Sequence, residues 1–168
     1  MQPPHDGYCR FPNMAYAVLG NLFLLAHNAC PPPDKIWHAY LDEMKRMHAV
    51  AETRTLIFTQ GGGPDARQRA AMNEILQGTP TRVAVVTDSV LGQSCAAALQ
   101  LLNPEVRCFP VARIESAYAY LNVNGPARGR VSRAMMELRA RLAPEAPSSS
   151  AGLGRSGARR AQDLWPRA

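Results

Sequence analysis

Between residues 55 and 121, short apolar runs typical of β-strands alternate with helical segments, and this alternation limits the chain to an α/β fold. The runs lie at residues 55–59, 82–87 and 106–109. The valine-rich 82–87 run is typical of a strand buried on both faces. Helices are predicted at about 64–77, from residue 88 or 89 to 102, and at 114–121. The three strands are expected to pair in parallel through right-handed crossovers.

Two more apolar runs, 14–19 and 22–27, precede this unit. Gly20-Asn21 separates them and tolerates the positive φ angles of a two-residue hairpin loop, which predicts an antiparallel hairpin. A helix over about 34–48 follows, with apolar residues at three- and four-residue spacing. The complete order is β-β-α-β-α-β-α-β-α. We therefore expect a mixed five-stranded sheet with helices packed on it.

Charge divides the 168 residues unevenly. Residues 1–125 carry ten Lys or Arg against ten Asp or Glu, whereas residues 126–168 carry nine Arg against three acidic residues. We predict an N-terminal arm at 1–12, a domain at 13–123 and a basic tail at 124–168 that is partly helical, at 131–142, or disordered. Because only the tail is basic, sequence-specific nucleic-acid binding is not expected.

The cysteines and the apolar stretches bear on location. Cys9, Cys30, Cys95 and Cys108 have neither the close spacing of a zinc site nor the density of a disulfide scaffold, so free thiols are expected. The N-terminus lacks the pattern of a signal peptide, and no apolar stretch approaches the ~20 residues of a membrane span. These features predict a cytoplasmic protein without a transmembrane segment.

Three segments suggest a family. Residues 59–69, which read Thr-Gln-Gly-Gly-Gly-Pro-Asp-Ala-Arg-Gln-Arg, resemble small bacterial STAS-like domains, as do residues 82–89 and 103–107. That superfamily includes anti-sigma-factor antagonists and the CRAL-TRIO-like lipid-binding fold, and the resemblance spans about residues 13–123. It implies a mixed sheet carrying helices, and a module that binds partner proteins, small anions, nucleotides or lipids, usually without catalysis.

The resemblance also implies a regulatory serine. Regulatory members of the superfamily carry a phosphorylatable Ser or Thr in an Asp-Ser loop at a helix N-terminus. In this chain the loop after the third strand holds three glycines, and the Asp-Ser pair, Asp88-Ser89, follows the fourth strand. Phosphorylation of Ser89 is therefore left open.

The two turns are expected to form one rim. Glycines 61–63 can present backbone N–H groups beside the positive end of a helix, with Arg67 and Arg69 in its first turns, and this arrangement suits a phosphate or carboxylate. The structural alternatives are a tight glycine turn, and Asp88 and Ser89 acting only as helix caps. Parallel strands bring their carboxyl ends to one edge, where open α/β sheets bind ligands. The predicted rim comprises Thr59, Gly61, Gly62, Gly63, Arg67, Arg69, Thr87, Asp88 and Ser89.

No residue pattern indicates catalysis or metal binding. His27, His38 and His48 come from different elements and are interpreted as ordinary histidines, and Cys95 and Cys108 as core residues. The sequence predicts a non-enzymatic STAS-like regulatory or ligand-binding module that acts through protein–protein interaction, without a cofactor. The expected partner is a protein, with a small anion or lipid as a second ligand class. The alternative is a carrier of lipid or of a phosphorylated small molecule, or an enzyme, that uses the glycine-rich rim.

Overall fold

The computed structural model describes residues 13–47 and 49–142. The fold is α/β, with a five-stranded mixed sheet and five helices packed on it. The strands are β1 (Met14–Leu19), β2 (Leu22–His27), β3 (Arg54–Thr59), β4 (Arg82–Val86) and β5 (Val106–Phe109). The helices are α1 (Asp34–Lys45), α2 (Ala66–Leu76), α3 (Val90–Leu102), α4 (Ile114–Tyr120) and α5 (Pro126–Leu142).

The strands follow one another across the sheet in chain order. β1 and β2 form the expected antiparallel hairpin, and β3, β4 and β5 are parallel as predicted. β2 is also parallel to β3, with His27 opposite Thr59 at the last position of the pair. Four consecutive strands therefore end at the same edge of the sheet, where the loops to α1, α2 and α3 begin.

The sheet buries both faces, because alternate residues of its strands point to opposite sides. Odd-numbered residues of β2 such as Phe23 and Leu25 pack with α1 and α2, and Val85 of β4 packs with α3. Even-numbered residues, among them Leu24 and Leu56, pack with α4 and α5. The fold has three layers, with α1, α2 and α3 on one face and α4 and α5 on the other.

Helix α5 belongs to the basic segment that was placed outside the 13–123 domain from the sequence, yet it packs on the core. Its residues Val131, Met135 and Leu138 are each 2% exposed and belong to the same apolar cluster as Leu24 and Leu56. Their three- and four-residue spacing gives α5 an apolar stripe. The arginines that suggested an extension occupy the other positions of the helix. Over residues 126–142 the basic segment is thus a packed helix.

Helices α1 and α2 are held together, whereas α3 packs separately. The indole Nε1 of Trp37 in α1 donates to the backbone oxygen of Gln68 in α2 at 3.0 Å. The Gln68 side-chain amide in turn donates to the backbone oxygen of Pro32, just before α1, at 2.9 Å. Helix α3 instead lies against β5. This arrangement leaves a gap between α2 and α3 above the central strands.

Two expectations about the cysteines are wrong. Cys30 is disulfide-bonded, whereas Cys95 and Cys108 are free and exposed rather than in the core. Because disulfides persist mainly in oxidising compartments, the cysteines no longer support the prediction of a cytoplasmic protein. Within the described ranges, no helix has the length and apolar character needed to cross a bilayer.

Candidate functional site

The gap between α2 and α3 is a cavity of about 730 Å³, which we call the α2–α3 cavity. Ile57 of β3 and Val85 of β4 contribute its floor from the sheet, and Leu91, Leu99 and Leu102 line it from α3. Its volume is in the range of small-molecule binding sites, and such sites are mostly apolar with a few polar groups. Apart from Ser94 and Cys95 of α3, the polar groups of the α2–α3 cavity lie near the carboxyl ends of the strands.

A row of three polar side chains marks this edge. His27 and Thr59 are opposite each other at the ends of β2 and β3, and Thr87 directly follows β4. All three are buried and have the odd numbering of the face that carries α1, α2 and α3. The Thr87 hydroxyl donates to the backbone oxygen of Thr59 at 2.7 Å, and the Thr59 hydroxyl donates to that of Gly62 at 2.6 Å. Both hydroxyl protons are therefore used within the protein.

His27 is the unsatisfied member of the row. It is 2% exposed and lines the α2–α3 cavity, yet its Nδ1 has no hydrogen-bond partner among the described residues. Burial lowers the pKa of His27 from 6.5 to about 4, so the imidazole is neutral near pH 7. A buried polar atom without a partner is rare and calls for an explanation. From the sequence, His27 was interpreted as an ordinary histidine, although its position at the end of an apolar strand distinguishes it.

The glycine turn serves the fold more than it serves an anion. The Gly61 N–H donates to the Thr59 hydroxyl at 3.0 Å, and the Gly62 N–H donates to the backbone oxygen of Asn28 at 2.8 Å. A Cβ atom on Gly62 would collide with the backbone oxygens of Asn28 and Cys30, so the turn packs directly on the loop after β2. Two of the three glycine N–H groups are thus unavailable to a ligand.

The start of α2 is already capped by a carboxylate. Asp65 accepts a hydrogen bond from the Gln68 N–H at 2.8 Å, and the Gln68 side chain accepts one from the Asp65 N–H at 3.1 Å. This capping box places a negative charge where a bound anion would otherwise interact with the helix dipole. The two arginines of this helix differ. The side chain of Arg67 is 89% exposed and pairs with Asp65 at 4.0 Å, whereas Arg69 lines the cavity.

The second turn meets the first, as the parallel strands require. A Cβ atom on Gly61 would lie 2.8 Å from the Ser89 hydroxyl oxygen, so the two turns are in contact. Ser89 is the N-cap of α3 and accepts a hydrogen bond from the Gly92 N–H at 3.3 Å. Asp88 accepts one from the Val111 N–H at 2.9 Å on the side towards β5. Both residues thus have structural roles in this turn.

Five of the nine predicted rim residues line the cavity, namely Thr59, Gly61, Gly62, Gly63 and Arg69. Thr87 and Ser89 support the turns behind it, whereas Arg67 and Asp88 are exposed and absent from its lining. Neither His27 nor the apolar side of α3 was among the site residues predicted from the sequence. Within the described ranges, no three His, Cys, Asp or Glu side chains are grouped as metal ligands would be.

Comparison with known proteins finds no match for this chain among family models, curated proteins or solved structures.

Proposed function

We propose that this chain is a non-enzymatic, STAS-like ligand-binding module, in which the α2–α3 cavity holds a small molecule with an apolar body and one polar end. The observation that carries the proposal is the cavity of about 730 Å³, which leucines of α3 line along its length and His27 and Arg69 line at its polar end. Its polar end lies at the carboxyl ends of the parallel strands, the edge where open α/β sheets bind ligands.

The hydroxyl groups around the cavity support binding rather than catalysis. Ser94 donates to the backbone oxygen of Val90 at 3.0 Å, just as Thr59 and Thr87 donate to backbone oxygens. A nucleophilic hydroxyl would instead donate to a general base. The hydrogen bonds of these three hydroxyls are those of a structural scaffold.

Blocking the cavity tests the proposal. Ala97 and Ala98 are exposed neighbours on α3, but only Ala98 lines the cavity. Native mass spectrometry of the freshly purified chain would detect a co-purified small molecule, and a titration with 1-anilinonaphthalene-8-sulfonate would report access to the cavity. We expect A98F to lose the adduct and to weaken dye binding, and A97F to behave as the wild type. Equal behaviour of the two variants would contradict the proposal.

A second candidate function is the docking of a partner protein on α3, as the resemblance to regulatory STAS-like modules suggests. Helix α3 contains no charged residue and exposes Val90, Leu91, Leu101 and Leu102 by 78%, 59%, 89% and 63%. Exposed apolar patches of this kind often mark interaction surfaces. Cross-linking in lysate should capture a partner with the wild type and not with L101E. The matched change L19E, on the exposed Leu19 of β1, should leave capture intact.

A further inference from the structure

The charges lining the α2–α3 cavity restrict the polar end of its ligand. Among the described lining residues, Arg69 is the only charged side chain, and no carboxylate is present. Its Nη1 donates to the backbone oxygen of Pro64 at 2.7 Å, and the ion pair at this end of α2 involves Arg67 rather than Arg69. A guanidinium carries five N–H donors, so donors remain for a ligand. Among the described residues, Arg69 thus supplies the cavity with one positive charge, which matches a ligand that carries one negative charge.

The rest of the polar end disfavours a phosphate. The Gly61 and Gly62 N–H groups donate within the protein, and the Asp65 carboxylate caps α2. A phosphate with close to two negative charges would therefore keep one charge without a partner in a largely apolar site, which is costly. A carboxylate carries one charge, and the neutral imidazole of His27 can donate its single N–H to one of the carboxylate oxygens.

The cavity is long enough to hold one extended alkyl chain. It follows α3 from Leu91 to Leu102, which at 1.5 Å per residue is about 17 Å. An extended alkyl chain with C–C bonds of ~1.5 Å advances about 1.3 Å per carbon, so this length holds roughly 13 carbons. A second cavity of about 60 Å³ shares Ile57, Leu99 and Leu102 with the first and continues the apolar path.

We propose that the ligand of the α2–α3 cavity is an unbranched long-chain carboxylate of about 13 carbons, with its head group at Arg69 and His27 and its chain between α2 and α3. This inference rests on the proposed function and specifies its ligand class. It replaces the phosphorylated ligand considered from the sequence with a singly charged one. No bond is made or broken in this binding.

Calorimetric titration of the full chain with dodecanoate and dodecyl phosphate below their micelle concentrations, and with dodecanol below its solubility limit, tests the head group. We expect dodecanoate to bind about tenfold more tightly than dodecanol, as for one charge-assisted hydrogen bond, and dodecyl phosphate to bind no better than dodecanoate. Dodecanol binding as tightly as dodecanoate would overturn the carboxylate assignment while leaving the proposed function in place. Failure of all three to bind would contradict the proposed function itself.

Two arginine variants distinguish a specific contact between Arg69 and the carboxylate from a general effect of positive charge. R69Q should weaken the binding of dodecanoate about tenfold and leave the binding of dodecanol unchanged. R67Q, at the exposed Arg67, should change the affinity for neither compound. R69K keeps the charge and should retain most of the preference. Circular dichroism checks that each variant is folded, and the comparison of head groups in the wild type needs no variant. Equal effects of R69Q and R67Q would overturn the role of Arg69.

A series of carboxylates tests the length of the chain. Each methylene that enters the apolar cavity should tighten binding by roughly fourfold, up to about 13 carbons. Beyond that length the added methylenes extend past the end of α3, and the affinity should level off. An affinity independent of length between 8 and 12 carbons would overturn the assignment of the chain to the space between α2 and α3.

Discussion

His27 makes the stability of the fold depend on pH in a defined direction. Burial lowers its pKa from 6.5 to about 4, so below pH 6.5 the unfolded chain binds a proton that the folded chain does not. The stabilisation is complete above pH 6.5 and is lost as the pH falls towards 4, with a total of about 3 kcal/mol. Urea unfolding between pH 7 and pH 4 should show this loss in the wild type and a smaller one in H27Q.

The exposed His38 provides the matched control for this measurement. H38Q removes an exposed histidine and leaves His27 in place, so it should show the same loss of stability between pH 7 and pH 4 as the wild type. If H27Q and wild type lose the same free energy of unfolding between pH 7 and pH 4, the buried neutral state of His27 is wrong.

The glycines of the turn after β3 are not interchangeable. A Cβ atom on Gly62 would strike the backbone oxygens of Asn28 and Cys30, whereas a Cβ atom on Gly63 has no neighbour within 4 Å. We expect G62A to lower the free energy of unfolding by about 1–3 kcal/mol, because backbone atoms cannot move aside cheaply, and G63A to be nearly neutral. Equal stability of the two variants would show that this turn does not pack tightly on the loop after β2.

At the scale of elements, the sequence predicted most of the sheet. The bounds of β1, β2 and β5 agree with the structure, since Gly20 and the segments around Asn103-Pro104 and Pro110 interrupt the apolar runs sharply. The packed state of α5 was missed because its arginines dominate the composition of its segment. The cavity was also missed, because the separation of α2 and α3 depends on which neighbour each helix contacts. No local sequence pattern indicates which neighbour a helix will contact.

The N-cap of α3 gives a prediction at this scale. Ser89 accepts the Gly92 N–H, so S89A should lower the free energy of unfolding by about 1 kcal/mol. S89D should restore it, because a carboxylate accepts the same hydrogen bond and interacts favourably with the helix dipole. Thermal unfolding of the wild type, S89A and S89D measures their order of stability. A destabilised S89D would mean that negative charge at this turn disrupts it, as a phosphorylation switch would require.

The whole molecule has two apolar layers that share one sheet. Trp37 lies in the layer formed by α1 and α2, and Met135 lies in the opposite layer under α5. The same strands supply side chains to both layers. Loss of one layer would expose one face of the sheet to water and destabilise the strands on which the other layer packs. The chain should therefore unfold as one cooperative unit, although α5 follows the region of the STAS-like resemblance.

Neighbouring methionines of α5 test this cooperativity. Met135 is 2% exposed and Met136 is 60% exposed. M135A should lower the free energy of unfolding by about 2–5 kcal/mol, whereas M136A should change it by less than about 0.5 kcal/mol. In a W165F background, fluorescence reports Trp37 alone and circular dichroism reports all helices. In M135A both transitions should shift together to the same lower urea concentration, because two-state unfolding gives coincident probes. A shift seen by circular dichroism alone would mean that α5 detaches from a sheet that stays folded.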